Sequence, residues 1–409
     1  VRILYFHQHF TTPQGSGGTR SYEFAQALIK RGHQVTMICG QMDRDSLNLP
    51  FDEKRGWSRG LINGIDVIAL PLSYSNHDGI GLRLITFFKY ALKSIRIALD
   101  FEYDLIFATS TPLTAALPGI FASWLKGKNF IFEVRDLWPE LPKAMGMKNP
   151  ILLGGMWVIE GWAYRSSIAC VGLSPGIVEG IKKRSPKNHP IALIPNGCDL
   201  EIFKPQPKAT IQIEGVKPGD FVVGFTGAHG KANGLDAIIE AARELKKRNT
   251  QNIKFLLIGD GSEKARLQRI ADTEKLESII FHPPIPKLAL AQITAQLDCG
   301  LMFLDNIPAF YYGTSPNKFF DYISAGIPVI NNYPGWLAEM INHQQCGCVV
   351  PPGDTTRLVN CLIELHTKPA LCQHMGQNSR QLAQTQFSRL HLANNFCEFI
   401  EQQASHLIH

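Results

Sequence analysis

The sequence predicts an α/β protein built of two doubly wound parallel sheets, one in each half of the chain. Three observations carry this. Short apolar runs alternate with loops and amphipathic helical stretches, the rhythm of a parallel sheet covered on both faces. The rhythm lapses over 203–218, where Pro205, Pro207 and Pro218 break any period. It then restarts, and 409 residues are enough to bury two cores. The expected domains are 1–203, 204–387 and a closing helix over 388–409, placed to cross back to the first domain.

Ile3–His7 reads as the first strand, Thr12–Gly18 as a glycine-rich loop and Ser21–Arg31 as a helix stopped by Gly32. His33–Cys39, Val67–Leu70, Leu105–Ala108 and Phe130–Val134 read as further strands. After the lapse, strands are expected at Phe221–Phe225, Lys254–Gly259, Ile279–Phe281, Cys299–Leu304 and Pro328–Asn331. Helices are expected at Leu235–Lys247, Ser262–Thr273 and Ser315–Ala325.

Hydrophobic residues make up 45% of the chain and charged residues 19%, which excludes a disordered protein. A net charge of +6 suits anionic ligands or a lipid surface and is too small to argue for nucleic acid. Nine cysteines cannot all pair, and Cys346 and Cys348, spaced C-x-C, fit neither a zinc knuckle nor a redox pair. A reducing cytoplasm is therefore expected. The N-terminus lacks the basic start and apolar stretch of a signal peptide. No run of about 18 apolar residues is present to span a membrane. No Asp-x-Asp motif stands out, so neither a metal nor a cofactor is expected to be required.

The most informative stretch is Tyr311–Ile330, YYGTSPNKFFDYISAGIPVI. Ser315 reads as a helix N-cap, Pro316 as the first helical residue and Gly326 as the stop. At about 100° per residue, Phe319, Phe320 and Ile323 share one side, and Lys318, Asp321, Tyr322 and Ala325 the other. The helix start at Ser315, Pro316 and Asn317 offers a positive dipole end to a diphosphate. Lys318 would neutralise phosphate charge, and Asp321 would hold ribose hydroxyls. A surface helix with a solvated Lys–Asp pair fits the same pattern.

This stretch resembles the nucleotide-binding signature of the family 4 (group 1) glycosyltransferases. There an acid, seven residues and a second acid precede a small-residue helix end and a Pro-Val-Ile strand. Asp321 takes the second acidic position, and the first falls on Gly313. The Ser-Pro-x-Lys form is similar to the branch that makes O-antigen and capsule sugars, including the N-acetyl-fucosamine transferases. Ile194–Pro205, Gly224–Ala242 and Leu257–Leu267 resemble further motifs of the family, in the right order along nearly the whole chain. The resemblance implies a GT-B fold, two Rossmann-like domains facing across a cleft, with the nucleotide sugar on the second. The family places an Arg after the first Gly of its C-terminal domain and a Lys before the next. Here those positions are Ala228 and Asn233. Lys231 and Lys318 are left to meet the diphosphate, with Gly227 allowing close backbone approach. His229 either points at the phosphates or caps a turn.

The first loop does not read as a dinucleotide fingerprint. Arg20 stands where the third glycine belongs, and Cys39-Gly40-Gln41 replaces the acid after the second strand. The resemblance implies instead that Gly17 and Gly18 approach the donor diphosphate and that Arg20 adds a cation. A surface arginine on the first helical turn fits as well. In Phe132–Glu140, FEVRDLWPE, a strand runs into charged residues at its carboxyl end, where ligands are met. Relatives carry a His and an acid there, near the donor sugar; Arg135 replaces the His and Asp136 keeps the acid. Glu133 would need a partner if buried. Arg135, Asp136 and Lys318 are the catalytic candidates. No carboxylate pair suggests double displacement. The resemblance then implies retention by a front-face route, with the leaving diphosphate helping to deprotonate the acceptor.

Leu82–Leu99 is an apolar helix carrying Lys89, Lys93 and Arg96 on one face. It reads either as a core helix with a basic outer face or as one lying in a lipid interface. Ala115–Leu125 and Ile151–Trp162 are further apolar segments. The expected partners are a nucleotide-sugar donor, a glycan or polyprenyl-diphosphate-linked acceptor and a membrane surface, with no nucleic acid. The location is the cytoplasm, or the inner face of the plasma membrane. A UDP-sugar 2-epimerase and an inactive sugar-nucleotide scaffold are the alternatives.

Overall fold

The computed structural model describes the chain except for residues 16–17, 41–46, 73–78, 210–211, 251 and 406–409. It divides into two compact units. Unit 1 holds Val1–Pro195, Gly313–Ser315 and Leu392–His409; unit 2 holds Asn196–Tyr312 and Pro316–His391.

Unit 1 carries a nine-stranded sheet. Its strands are β1 (Arg2–Phe6), β2 (Gln34–Gly40), β3 (Phe51–Asp52), β4 (Trp57–Ile62), β5 (Ile65–Leu70), β6 (Leu105–Thr109), β7 (Asn129–Val134), β8 (Ala169–Gly172) and β9 (Ile191–Leu193). Their order is β3-β4-β5-β2-β1-β6-β7-β8-β9. The helices are α1 (Arg20–Lys30), α2 (Ile80–Asp100), α3 (Leu117–Lys126), α4 (Glu140–Ala144), α5 (Pro150–Ser166) and α6 (Pro175–Arg184). Strand β6, LIFAT, is buried at every position, because helices cover both faces of a parallel sheet.

One edge departs from the expected all-parallel sheet: β4 runs antiparallel to both β3 and β5. Asn63 (φ 49°) and Gly64 (φ 86°) form the turn between β4 and β5, and both take the left-handed conformation that a two-residue hairpin turn needs. The Asn-Gly pair between two strand-like runs is the sequence signal for it.

Unit 2 carries a six-stranded parallel sheet: β10 (Phe221–Thr226), β11 (Ile253–Ile258), β12 (Ile279–His282), β13 (Cys299–Met302), β14 (Val329–Asn331) and β15 (Gly347–Val349). Their order is β12-β11-β10-β13-β14-β15. The remaining helices are α7 (Asp236–Lys247), α8 (Lys264–Thr273), α9 (Lys287–Thr294), α10 (Pro308–Gly313), α11 (Asn317–Ala325), α12 (Trp336–Gln344), α13 (Thr355–Thr367), α14 (Pro369–Gln386) and α15 (Arg389–Gln403).

The units divide between Pro195 and Asn196, ahead of the expected 203/204 boundary. Phe203 explains the shift. It is buried with Ala291 and Ala325, and its carbonyl accepts from Ser324 Oγ at 2.7 Å. The stretch before the proline-rich lapse thus packs on unit 2. Leu392–His409 counts with unit 1. There Phe396 stacks on Phe24 at 4.1 Å, and Arg31 pairs with Glu401 at 2.8 Å.

Candidate functional site

In unit 2 the polar residues gather at the carboxyl ends of the strands. β10 delivers Phe225 and Thr226, and Gly227 follows at φ +136°, a conformation that favours glycine. A Cβ on Gly227 would lie 3.5 Å from Lys318 Cε. Lys318 sits on the first turn of α11. Its Nζ donates to Asn233 Oδ1 at 2.8 Å and lies 3.9 Å from the centre of the Phe225 ring. Asn233 Nδ2 in turn donates to the Ala228 carbonyl at 2.9 Å. Loop 227–233 and the start of α11 are therefore one hydrogen-bonded unit. Burial pushes the Lys318 ammonium down to about 7.

The two departures from the family pattern meet here. Asn233, where the family has a lysine, holds the lysine that α11 supplies. The first N–H groups of α11 have no acceptor within the helix, so its dipole end and Lys318 present positive charge together. Asp321 follows on the same helix. Burial pushes its carboxyl up to about 6, while Arg389 and Lys287 pull it down and Asp199 pushes it up. Lys287 pairs with Asp199 at 3.0 Å. These flanking charges come from distant segments and were not among the sequence candidates.

Several expectations are corrected. Ser315 is not the N-cap of α11: Pro316 takes that position and Asn317 is the first helical residue. The reason is that Pro316 is itself extended, at φ −76° and ψ 129°, so the helix begins one residue later than expected. Nor is α11 a surface helix. Tyr322 and Ala325, expected outside, are buried, and Tyr322 Oη accepts from Thr226 N at 2.9 Å. Lys231, the other expected cation, is exposed and lines a cavity of about 690 Å³ with Gly230, Arg266, Asp236 and Asp305. His229 neither caps a turn through its ring nor reaches outward. It is fully buried between Phe225 and Phe281, and among the described residues neither ring nitrogen has a hydrogen-bond partner. Burial first, then the charge of Lys264, pushes the imidazole down to about 4, so it is neutral.

In unit 1, register aligns Phe6 with Ala108 and Thr109 with Glu133, bringing the ends of β1, β6 and β7 level. Arg20 is not a ligand-facing cation. It is buried, its Nε donates to Glu133 Oε1 at 2.9 Å, and its two Nη atoms donate to the carbonyls of Pro195 (2.6 Å) and Ile194 (2.7 Å). Glu133 thus has the partner that its burial demands. His7 Nδ1 and Ser21 Oγ share a short hydrogen bond beside them. Arg135 N donates to Ser110 Oγ at 2.8 Å, while among the described residues its guanidinium has neither a hydrogen bond nor an ion pair. Asp136 is adjacent, its carboxyl pushed up by burial and drawn down by Arg135. Gly18 is exposed, and Gly17 lies outside the described residues.

Two parallel-sheet α/β units, each with its polar residues at the carboxyl edge, define a GT-B protein. The glycosyl transferases group 1 family matches residues 208–382, and the glycosyl transferase 4-like domain matches 15–197. This chain belongs to the group 1 glycosyltransferases. Among curated relatives, O-antigen chain mannosyltransferase C of Escherichia coli is 24% identical over 44% of this chain and 46% of its own. The chain spans under half the length of the curated relatives it matches. Sucrose-phosphate synthase from Thermosynechococcus elongatus superposes with a TM-score of 0.78 at 18% identity, over 99% of both chains. Anabaena HepE in complex with UDP gives 0.69 at 17%, over 98% of this chain and 100% of its own. Among the described residues, no helix is long and apolar enough to cross a membrane.

Proposed function

We propose that this protein is a retaining glycosyltransferase. It moves a hexose, or an N-acetylated deoxyhexose, from a UDP donor to a glycan or lipid-linked acceptor in cell-surface polysaccharide synthesis. The observation that carries this is Lys318, held by Asn233 beside Gly227 at the start of α11. A diphosphate seated there meets the helix dipole, a lysine and open backbone, with Asp321 further along for the ribose. The Ser-Pro-x-Lys motif supports the acetylated deoxyhexose, and the likeness to a UDP-bound structure supports UDP. Likeness to an O-antigen mannosyltransferase supports the polysaccharide role.

In the front-face step, the acceptor hydroxyl bonds to the anomeric carbon on the face that the diphosphate leaves. The carbon–oxygen bond to the β-phosphate breaks, and the released phosphate oxygen takes the hydroxyl proton. The protein contributes position and charge: in unit 2, α11 and Lys318 stabilise the departing UDP without a metal, and in unit 1, Arg135 and Asp136 are the further catalytic candidates. The enzyme works on the cytoplasmic side, in contact with the membrane.

The test is incubation with labelled UDP-, GDP- and TDP-sugars and membrane lipid extract. Label entering the lipid or glycan fraction with release of one nucleoside diphosphate is the expected result. Epimerised donor without transfer, or no turnover with any donor, would overturn the reading.

A further inference from the structure

The sheet of unit 2 has a groove at the end away from Lys318. Its cavity, about 840 Å³, lies at the amino ends of β10, β13 and β14, beside Asp220, Asp298 and Pro328. Every lining residue belongs to unit 2. The volume is in the range of ligand sites, about 300–1,000 Å³. Helix α11 carries Lys318 near its start and stops at Gly326, which lies in the groove. Eight residues of helix separate the two, about 12 Å along the axis. The walls are fixed. Arg380 of α14 donates to the carbonyls of Phe203 (3.0 Å), Ser324 (2.5 Å) and Leu200 (3.2 Å), which ties α14 to the chain before Pro205 and to the end of α11. Gly376 allows the close approach: a Cβ there would stand 2.4 Å from the Gly326 carbonyl oxygen.

The groove is neutral. Its two cations, Lys208 and Arg380, match two anions, Asp220 and Asp298, and each is tied within the fold. Lys208 Nζ donates to the Leu297 carbonyl at 2.5 Å, Asp298 Oδ2 accepts from Val222 N at 2.7 Å, and Asp220 Oδ2 accepts from Lys217 N at 2.8 Å. What remains free is amide. Gln373, Gln377, Gln381 and Gln384 follow one another at four, four and three residues, so they share one exposed face of α14, and all four line the groove. Among the described residues their side chains make no hydrogen bond. Charged residues usually cover an outer helix face, yet Arg380 is the only Lys, Arg, Asp or Glu in α14. A glutamine amide both donates and accepts, as a sugar hydroxyl does, whereas a phosphate finds no untied cation here. Pro205, Pro369 and the His366 ring, which packs edge-on to Phe221 at 5.4 Å, give apolar cover for the C–H faces of sugar rings.

We infer that this groove binds an uncharged oligosaccharide of a few hexose units, its hydroxyls paired with the glutamine stripe of α14. The site is additional to the donor seat and holds glycan, not nucleotide. It goes beyond the transferase reading above and stands without it, because neither the groove nor its amides involve Lys318.

The full chain is titrated calorimetrically with maltohexaose, mannohexaose and hexagalacturonate, with and without saturating UDP. A neutral hexasaccharide should bind more tightly than the anionic one, and equally well with UDP present. Gln377→Ala with Gln381→Ala should weaken it about tenfold, the loss of two neutral hydrogen bonds, while the urea midpoint, the folding control, is kept. Lys318→Ala should weaken UDP and leave the hexasaccharide unchanged. Hexasaccharide binding that survives the double substitution at full strength, or that UDP displaces, would overturn the inference. So would tighter binding of hexagalacturonate, or no binding of either neutral hexasaccharide at about 10 mM. UDP binding without hexasaccharide binding removes the groove site and leaves the transferase standing. Hexasaccharide binding that needs the glutamines, in a protein that binds no UDP, supports the groove site and removes the transferase.

Discussion

At Lys318 the half-buried side chain lies over the Phe225 ring and takes the Asn233 amide oxygen as its partner. Burial lowers its proton affinity, so near neutrality it is about half charged. A bound diphosphate favours the charged form. Below about 7 the lysine is already protonated and affinity is level; above it, binding must take up a proton. UDP affinity should therefore fall as pH rises from about 7, and Lys318→Arg, which stays charged, should flatten that slope. Titrations from pH 6 to about 9 would show it; a slope kept by the arginine variant would remove Lys318 from the site. His229 invites the opposite expectation. Among the described residues its two ring nitrogens have no hydrogen-bond partner, so their burial carries a desolvation cost. His229→Leu should be neutral or stabilising by about 1 kcal/mol in urea melts. A large loss of stability would mean the imidazole has a partner. For Arg20 the sequence offered a ligand-facing cation or a surface residue, and the structure gives neither. Glu133→Gln should cost about 3–5 kcal/mol, because it leaves a buried guanidinium without its counter-ion. A urea midpoint equal to that of the parent would contradict this.

Helix α11 shows how an element aims a site. Its stop at Gly326, φ 72°, was legible because a left-handed C-cap is a local demand. Its start lies one residue later than expected, and Tyr322 and Ala325 on its expected wet face are buried. The burial comes from strand β13, where Gly300 lets the Tyr322 ring lie over the backbone. A Cβ there would stand 2.4 Å from the ring. Gly300→Ala should push α11 outward, lower stability by about 1–3 kcal/mol and weaken UDP binding along with it. Stability and UDP affinity left unchanged together would show that α11 does not depend on this contact. The antiparallel edge of unit 1 was signalled by Asn63-Gly64, whereas the strand rhythm alone read as uniformly parallel.

For the whole molecule, unit 1 is assembled from segments far apart in the chain. Phe396 fills the space between Phe24 and Phe107, at 4.1 and 5.0 Å. Phe396→Ala should destabilise unit 1 by about 3–5 kcal/mol and leave UDP binding by unit 2 intact. Unfolding followed by fluorescence, with UDP titration of the same sample, would check both; an unmoved midpoint would mean that the tail is peripheral to the core. The sequence by itself determined the two βα series, most strand positions and the stop of α11, because periodicity and helix stops act over a few residues. Tertiary structure decided that Arg20 turns inward to Glu133 and that Asn233 holds Lys318. Each of those depends on partners brought from distant parts of the chain, and local pattern carries no record of which distant groups will meet.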